Sequence, residues 1–151
     1  MTAAAGQLDG LHRAAASRLR SVGQRYTANR RMLIEALADV SGPVTIAGIL
    51  EGRSGLPVSS AYRSLTVLER AGLVQRVVMG EERARYELAE ELTDHHHHHL
   101  VCSSCASVED VTIPPELERD VDRILASLAG RSGFTAVSHQ LDMVGLCRAC
   151  G

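Results

Sequence analysis

The stretch Pro57-Val-Ser-Ser-Ala61-Tyr-Arg-Ser-Leu65-Thr-Val-Leu68-Glu-Arg-Ala71-Gly-Leu73-Val-Gln-Arg-Val-Val78 decides the fold, because within it the apolar period changes from that of a helix to that of a strand. Ala61, Leu65, Leu68 and Ala71 recur at three- and four-residue spacing and predict one inward helix face. Pro57 and the caps Ser59 and Ser60 open this helix, and Gly72 stops it. Beyond Gly72, Leu73–Val78 and Ala84–Leu88 flank the turn Met79-Gly80-Glu81-Glu82, which predicts a β-hairpin.

Upstream, Leu8, Leu11, Ala15, Leu19 and Val22 predict a first helix, with Arg13, Arg18 and Arg20 on its other faces. Thr27 caps a second helix that runs to about Val40 on Leu33, Ala36, Leu37 and Val40, and Ser41-Gly42-Pro43 breaks it. A short third helix spans Thr45–Leu50. Three helices closing on a hairpin are the parts of a winged helix, in which the fourth helix of this chain holds the place of the recognition helix. Tyr62, Arg63, Thr66 and Arg70 lie outside its apolar stripe. A tyrosine ring can press on a thymine methyl, and Arg63 can bond a phosphate or a guanine edge. The competing reading is that Tyr62 packs on the wing and Arg63 is a solvated surface charge.

Charge separates along the chain in the same sense. All sixteen basic residues are arginines, and the formal net charge of -2 conceals two halves. Residues 1–76 carry ten Arg against five acids, a net +5, while residues 77–151 carry six Arg against thirteen acids, a net -7. The basic half suits a polyanion. With 151 residues, the chain can hold one ordinary domain or two small ones. No apolar run is long enough to span a membrane, and the first fifteen residues lack the pattern of a secretory signal, so a cytoplasmic location is expected.

The acidic half holds Asp94-His-His-His-His-His99-Leu-Val-Cys102-Ser-Ser-Cys105 and a second pair, Cys147-Arg-Ala-Cys150. Purification tags sit at chain ends, whereas this run leads straight into an apolar pair and a Cys-x-x-Cys. If the run is extended, His95, His97 and His99 point one way and His96 and His98 the other, so one strand can serve two metal sites. Imidazole suits zinc, iron, nickel and copper alike. Two Cys-x-x-Cys knuckles complete a tetrahedral four-sulfur shell, which predicts a closed structural zinc site in Cys102, Cys105, Cys147 and Cys150. Between the knuckles, Ala106–Thr112 reads as a weak strand. Pro114-Pro115 opens a helix with Leu117, Val121, Ile124, Leu125 and Leu128 as its stripe. Phe134–Val144 reads as a strand with Val137, His139, Leu141 and Met143 on one face. So small a unit buries little and suggests pairing with a second copy.

From Leu11 to Cys150 the chain resembles the ferric uptake regulator family of bacterial metal-sensing repressors. The resemblance rests on Gly23-x-Arg25-x-Thr27-x-x-Arg30, Ala61-Tyr62-Arg63-x-Leu65, Ala71-Gly72-Leu73-Val74, the His-x-His-Leu-Val-Cys-x-x-Cys run, Phe134-x-x-Val137-Ser138-His139 and the closing knuckle. It implies an α+β chain. An N-terminal winged helix-turn-helix DNA-binding domain over 1–88 is followed by a hinge over 89–94 and a small α/β metal-binding dimerisation domain over 95–151. It implies DNA contacts from Tyr62, Arg63, Arg25, Ser59 and Thr66. It also implies a regulatory metal on Glu87, His97 and His99, with Glu90, Glu91 or Asp94 as replacements for Glu87. A second site would use His96, His98, His139 and Glu118, with Glu116 as the alternative carboxylate.

The function this implies is a non-enzymatic, metal-dependent repressor of metal uptake or homeostasis genes. It would act as a cytoplasmic homodimer on a palindromic, A/T-rich double-stranded operator. Its cofactors would be structural Zn2+ and a regulatory divalent ion, Fe2+ or Zn2+ with Mn2+ as a further candidate. Zinc sensors of the family often carry a cysteine just before the histidine run and an Asp after Gly-Leu-Val, where this chain has Glu87 and Gln75. The missing soft ligand slightly favours iron over zinc, and a zinc-specific uptake regulator is the alternative. A histidine-rich metal chaperone or store is the alternative of a different class. A zinc hydrolase fits poorly, because a four-sulfur shell leaves no open position.

Overall fold

The computed structural model describes residues 5–77, 84–93, 96–135 and 138–151. The chain divides into two compact units, Met1–His95 and His96–Gly151. The first unit contains α1 (Ala5–Ser21), α2 (Ala28–Ala38), β1 (Val44–Thr45), α3 (Ile46–Leu50), α4 (Val58–Arg70), β2 (Val74–Val77), β3 (Arg85–Leu88) and α5 (Glu90–Thr93). Its sheet has the order β1-β3-β2, all antiparallel. Leu19, Leu33, Ile34, Ile49, Leu65, Leu68 and Leu73 are fully buried together, so the helix stripes meet in one aliphatic core. This is a winged helix-turn-helix.

The sequence-predicted helix starts hold where a side chain can cap. Thr27 accepts from the Arg30 amide at 3.4 Å, and Thr45 accepts from the Gly48 amide at 3.2 Å. Ser59 and Ser60 do not cap α4. Its N-cap is Pro57, which makes no side-chain cap bond, and the carbonyl of Pro57 accepts from Ser60 and Ala61. The proline φ is already suited to helix entry, so α4 begins at Val58 and both serines fall inside its first turn. Gly72 stops the helix at φ +67°, a left-handed backbone that favours glycine. β1 went unpredicted because two residues have no period, yet it pairs Val44 with Tyr86 and Thr45 with Arg85. The predicted turn Met79-Gly80-Glu81-Glu82 lies outside the described residues.

A polar network joins α1 to the entry of α2. His12 Nδ1 pairs with the Tyr26 hydroxyl at 2.7 Å, His12 Nε2 lies 3.1 Å from Glu35, and Arg31 holds Glu35 at 3.0 Å. Burial pushes the Tyr26 hydroxyl up to about 12, with Arg31 opposing and Glu35 adding to the rise.

The second unit contains β4 (His98–Cys102), β5 (Val108–Val111), α6 (Pro115–Arg131) and β6 (Asp142–Gly145). The sheet order is β5-β4-β6, with β4 antiparallel to β5 and parallel to β6. The expected strand Phe134–Val144 is therefore corrected to a strand that starts at Asp142. Residues 134, 135 and 138–141 are not in a strand, and 136–137, including the expected Val137, lie outside the described residues. The physical reason is that β4 offers pairing positions only from His99 to Cys102, and His139 is turned toward α6. Leu117, Ile124, Leu125 and Leu128 of α6 are exposed, as are Phe134, Met143 and Val144. Among the described residues of this unit, the buried apolar ones are Val101, Cys102 and Ala106, accompanied by His98 and His99. No helix is long and apolar enough to cross a membrane among the described residues.

Thr27→Ala should lower the unfolding free energy by about 1 kcal/mol through loss of the cap, and Leu65→Ala by about 2–5 kcal/mol through a core cavity. Chemical denaturation midpoints measure both.

Candidate metal centres and nucleic-acid face

β4 begins inside the histidine run, and its pleat sends neighbouring side chains to opposite faces. Two histidine clusters result. The even residues His96 and His98 meet His139 and Glu118, and the odd residues His97 and His99 meet Asp110; within each cluster the ligand atoms lie within 4.8 Å of one another. Asp110, on β5 opposite His99, is the carboxylate that sequence reading missed. The signal was present: the predicted strand after the first knuckle pairs back on the histidines and carries Glu109 and Asp110 on opposite faces. Glu87 lies on β3 of the first unit, paired with Gln75, and Glu90 and Glu91 lie on α5 of that unit. Asp94 is outside the described residues.

In the even cluster, Glu118 is the centre. His96 Nε2 and His139 Nε2 each lie 2.9 Å from Glu118 Oε1, and His98 Nε2 lies 3.0 Å from Oε2. The His98 contact, opposed by burial and helped by the charges of His96, His98 and His139, holds the Glu118 carboxyl below its usual range. His96 Nε2 and His139 Nε2 are 3.3 Å apart. Two ring nitrogens facing each other need a shared proton or a shared cation, and three imidazoles with one carboxylate make a divalent-metal donor set. Glu116, also in the first turn of α6, is exposed and stands outside this cluster.

In the odd cluster, the rings of His97 and His99 stand edge to face with centroids 5.1 Å apart. His99 Nε2 is 4.0 Å from Asp110 Oδ1, too far for a hydrogen bond, and both lie with a His97 ring nitrogen in one group of possible ligand atoms. His99 Nδ1 faces Asp142 Oδ1 at 2.9 Å.

All four cysteine sulfurs come within 4.8 Å of one another, and Cys105 Sγ is 3.7 Å from Cys147 Sγ. None forms a disulfide. A regular tetrahedron of sulfurs about zinc has edges of about 3.8 Å for 2.3 Å bonds, so the spacing fits a closed zinc shell. The first knuckle turns β4 into β5, with Cys102 N–H donating to Ser107 O at 2.9 Å and Ala106 N–H to Cys102 O at 2.9 Å. Ala106 takes φ +56° to close this turn, which costs an alanine about 1 kcal/mol. Backbone N–H donation from Cys105 and then Cys147 lowers the Cys102 thiol to about 6, against a smaller opposing effect of burial. At Cys150 the pull of the Ser104 hydroxyl is outweighed by the neighbouring sulfurs and burial, and the thiol rises to about 11.

On α4, Ser59, Tyr62, Arg63, Thr66 and Arg70 are all exposed, at the spacing of one outward helix face. Tyr62 is 51% exposed. Thr66 Oγ1 donates to Tyr62 O at 3.0 Å. Arg25 is exposed in the turn before α2, where Arg30 braces the backbone by donating to Arg25 O and to Gln24 Oε1.

The ferric uptake regulator family model matches residues 21–144. This chain belongs to that family. The peroxide operon regulator of Bacillus subtilis is 26% identical over 136 residues, covering 87% of this chain and 88% of its own. A structure of the Helicobacter pylori ferric uptake regulator, described as having three functional metal binding sites, has a TM-score of 0.71 at 20% identity over 95% of this chain and 93% of its own. A zinc uptake regulator complexed with zinc and DNA has a TM-score of 0.57 at 21% identity over 95% of this chain and 93% of its own. The chain is accordingly a metal-responsive DNA-binding transcriptional regulator with an N-terminal winged helix and a C-terminal dimerisation domain. The family consists of regulators, not enzymes.

Cys102→Ser or Cys147→Ser should lower both the metal content of the purified protein and its melting temperature. Metal analysis and calorimetry of the purified variants check this; unchanged zinc content would exclude the four-sulfur site.

Proposed function

We propose that this regulator represses metal uptake or homeostasis genes, with Fe2+ favoured over Zn2+ as the sensed ion and Mn2+ as a further candidate. The observation that carries the choice of metal is the odd cluster. Imidazole nitrogen from His97 and His99 and a carboxylate from Asp110 make a donor set without thiolate, which suits iron or manganese better than a site built around sulfur. Zinc also accepts such ligands, so the zinc-specific regulator is the second reading.

In this proposal Cys102, Cys105, Cys147 and Cys150 hold structural zinc. Glu87 joins His97 and His99 at the regulatory ion, and His96, His98, Glu118 and His139 hold a second one. The ion supplies a fixed positive charge that draws carboxylate and imidazole ligands together. Glu87 precedes the expected hinge at 89–94 and the histidines follow it, so a shared ion favours those orientations of the DNA-binding domain in which all three can bind. Only such a difference in affinity between orientations can make DNA binding depend on metal.

The exposed apolar residues of α6 are covered by a second copy, giving a homodimer, and two recognition helices read a palindromic, A/T-rich operator in the cytoplasm. Tyr62, Arg63, Ser59 and Thr66 face the major groove, and Arg25 reaches the minor groove. The ten arginines of residues 1–76 supply a salt-dependent phosphate attraction.

Tyr62→Ala and Arg63→Ala should each weaken operator binding by roughly ten- to hundredfold in a folded dimer, as expected for loss of a base contact. Gel-shift titrations measure this, and unchanged affinity would remove α4 as the reading helix. His97→Ala should abolish the metal response while leaving the melting curve in place. Repeating the wild-type titration with Fe2+, Zn2+ and Mn2+ in turn separates the iron from the zinc reading.

A further inference from the structure

We infer that Asp142 is a positioning residue for the regulatory metal site: its carboxylate keeps the His99 ring proton on Nδ1 and so presents the Nε2 lone pair to the ion. The inference rests on the reading of His97 and His99 as metal ligands and adds to it a residue that does not touch the metal.

Four observations converge. His99 is 1% exposed, so water has little access to Nδ1, and the partner facing that nitrogen is Asp142 Oδ1 at 2.9 Å. A carboxylate can only accept, so a neutral ring must donate from Nδ1, and its remaining lone pair is then on Nε2, the nitrogen on the Asp110 side. The pairing of the strands sets this contact, because His99 stands in register with Asp142 between the parallel strands β4 and β6. The carboxylate is itself held: Gln140 Nε2 donates to Asp142 Oδ2 at 3.3 Å, and the His99 amide donates to the carbonyl of Leu141 at 3.4 Å.

The second histidine cluster repeats the arrangement. His139 points Nε2 at Glu118 and Nδ1 at Asp122 Oδ1, 3.1 Å away. A carboxylate behind a ligating imidazole fixes the tautomer, restrains ring rotation and raises the basicity of the ligating nitrogen. Asp122 is exposed on α6, where solvent competes for it, whereas Asp142 acts on a ring that is nearly sealed. The effect is therefore larger at His99.

The test uses full-length dimer labelled with 15N-histidine, with zinc in the four-cysteine site and the histidine sites stripped. In the wild type, the His99 ring should give the chemical shifts of an Nδ1-protonated tautomer. Mn2+ titrated against a competing chelator should broaden the His97 and His99 ring signals, and should do so at the same Mn2+ concentration in Glu118→Ala, which removes the central carboxylate of the His96, His98 and His139 cluster and so distinguishes the two sites. Asp142→Ala should give a mixed or reversed tautomer at His99 and weaken the Mn2+ affinity read from those signals by roughly ten- to a hundredfold, with zinc content unchanged. Asp142→Asn, which keeps an acceptor without the charge, should retain the tautomer and show a smaller loss. Asp142→Glu should restore part of the affinity.

Wild-type tautomer and Mn2+ affinity in both Asp142→Ala and Asp142→Asn would overturn the inference while leaving the metal site standing. Loss of affinity with the His99 tautomer unchanged in Asp142→Ala would also overturn it, by making Asp142 a direct ligand. Failure of Mn2+ to broaden His97 and His99 in the wild type would instead overturn the reading of the site itself.

Discussion

The pairing of β4 with β6 is the contact on which the second unit depends. These strands come from opposite ends of the unit, with α6 between them, and lie parallel in the register His99↔Asp142 to Cys102↔Gly145. Among the described residues of this unit few apolar side chains are buried, and the four sulfurs gather where the two strands end. Cys102 ends β4 and Cys147 follows β6, with the Cys147 amide donating to Cys102 Sγ at 3.4 Å and both the Ser103 amide and hydroxyl donating to Gly145 O. A tetrahedral ion at this end would lock the register, and the register in turn places Asp142 against His99 at the other.

A strand explains why five consecutive histidines are not redundant. Alternation commits even and odd residues to different faces, and each face meets different partners: α6 and the segment carrying His139 on one, β5 and β6 on the other. Burial then makes each contact consequential. His98 and His99 are almost fully enclosed, and a buried ring nitrogen without a partner would cost about 1–3 kcal/mol. Each cluster therefore needs protons or cations to satisfy its donors, and either choice changes its charge. This is a physical basis for a metal-responsive element.

The first unit is organised on different terms. Its core is almost wholly aliphatic, α2 and α3 are capped by threonines, and its described arginines are exposed or half-buried. The separation of charge between the halves of the chain follows: a phosphate-facing unit gains from cations, whereas a metal-holding unit gains from carboxylates and neutral imidazoles. The net charge of -2 is the residue of two opposed requirements.

Much of this is legible in the sequence because periodicity and spacing are local properties. The stripe from Ala61 to Ala71, the Thr27 cap, the two knuckles and the split of the histidines by strand alternation all follow from residues within a few positions of one another. What the sequence could not determine involves distant partners. Asp110 and Asp142 look like ordinary surface acids until β5 and β6 pair with β4 and bring them to His99. The choice of Glu118 over Glu116 depends on which side of the first turn of α6 faces the histidines. The late start of β6 depends on how much of β4 is available to pair. A sequence determines which groups can bond, but tertiary structure decides which of them meet, because that depends on register and helix rotation set by the whole unit.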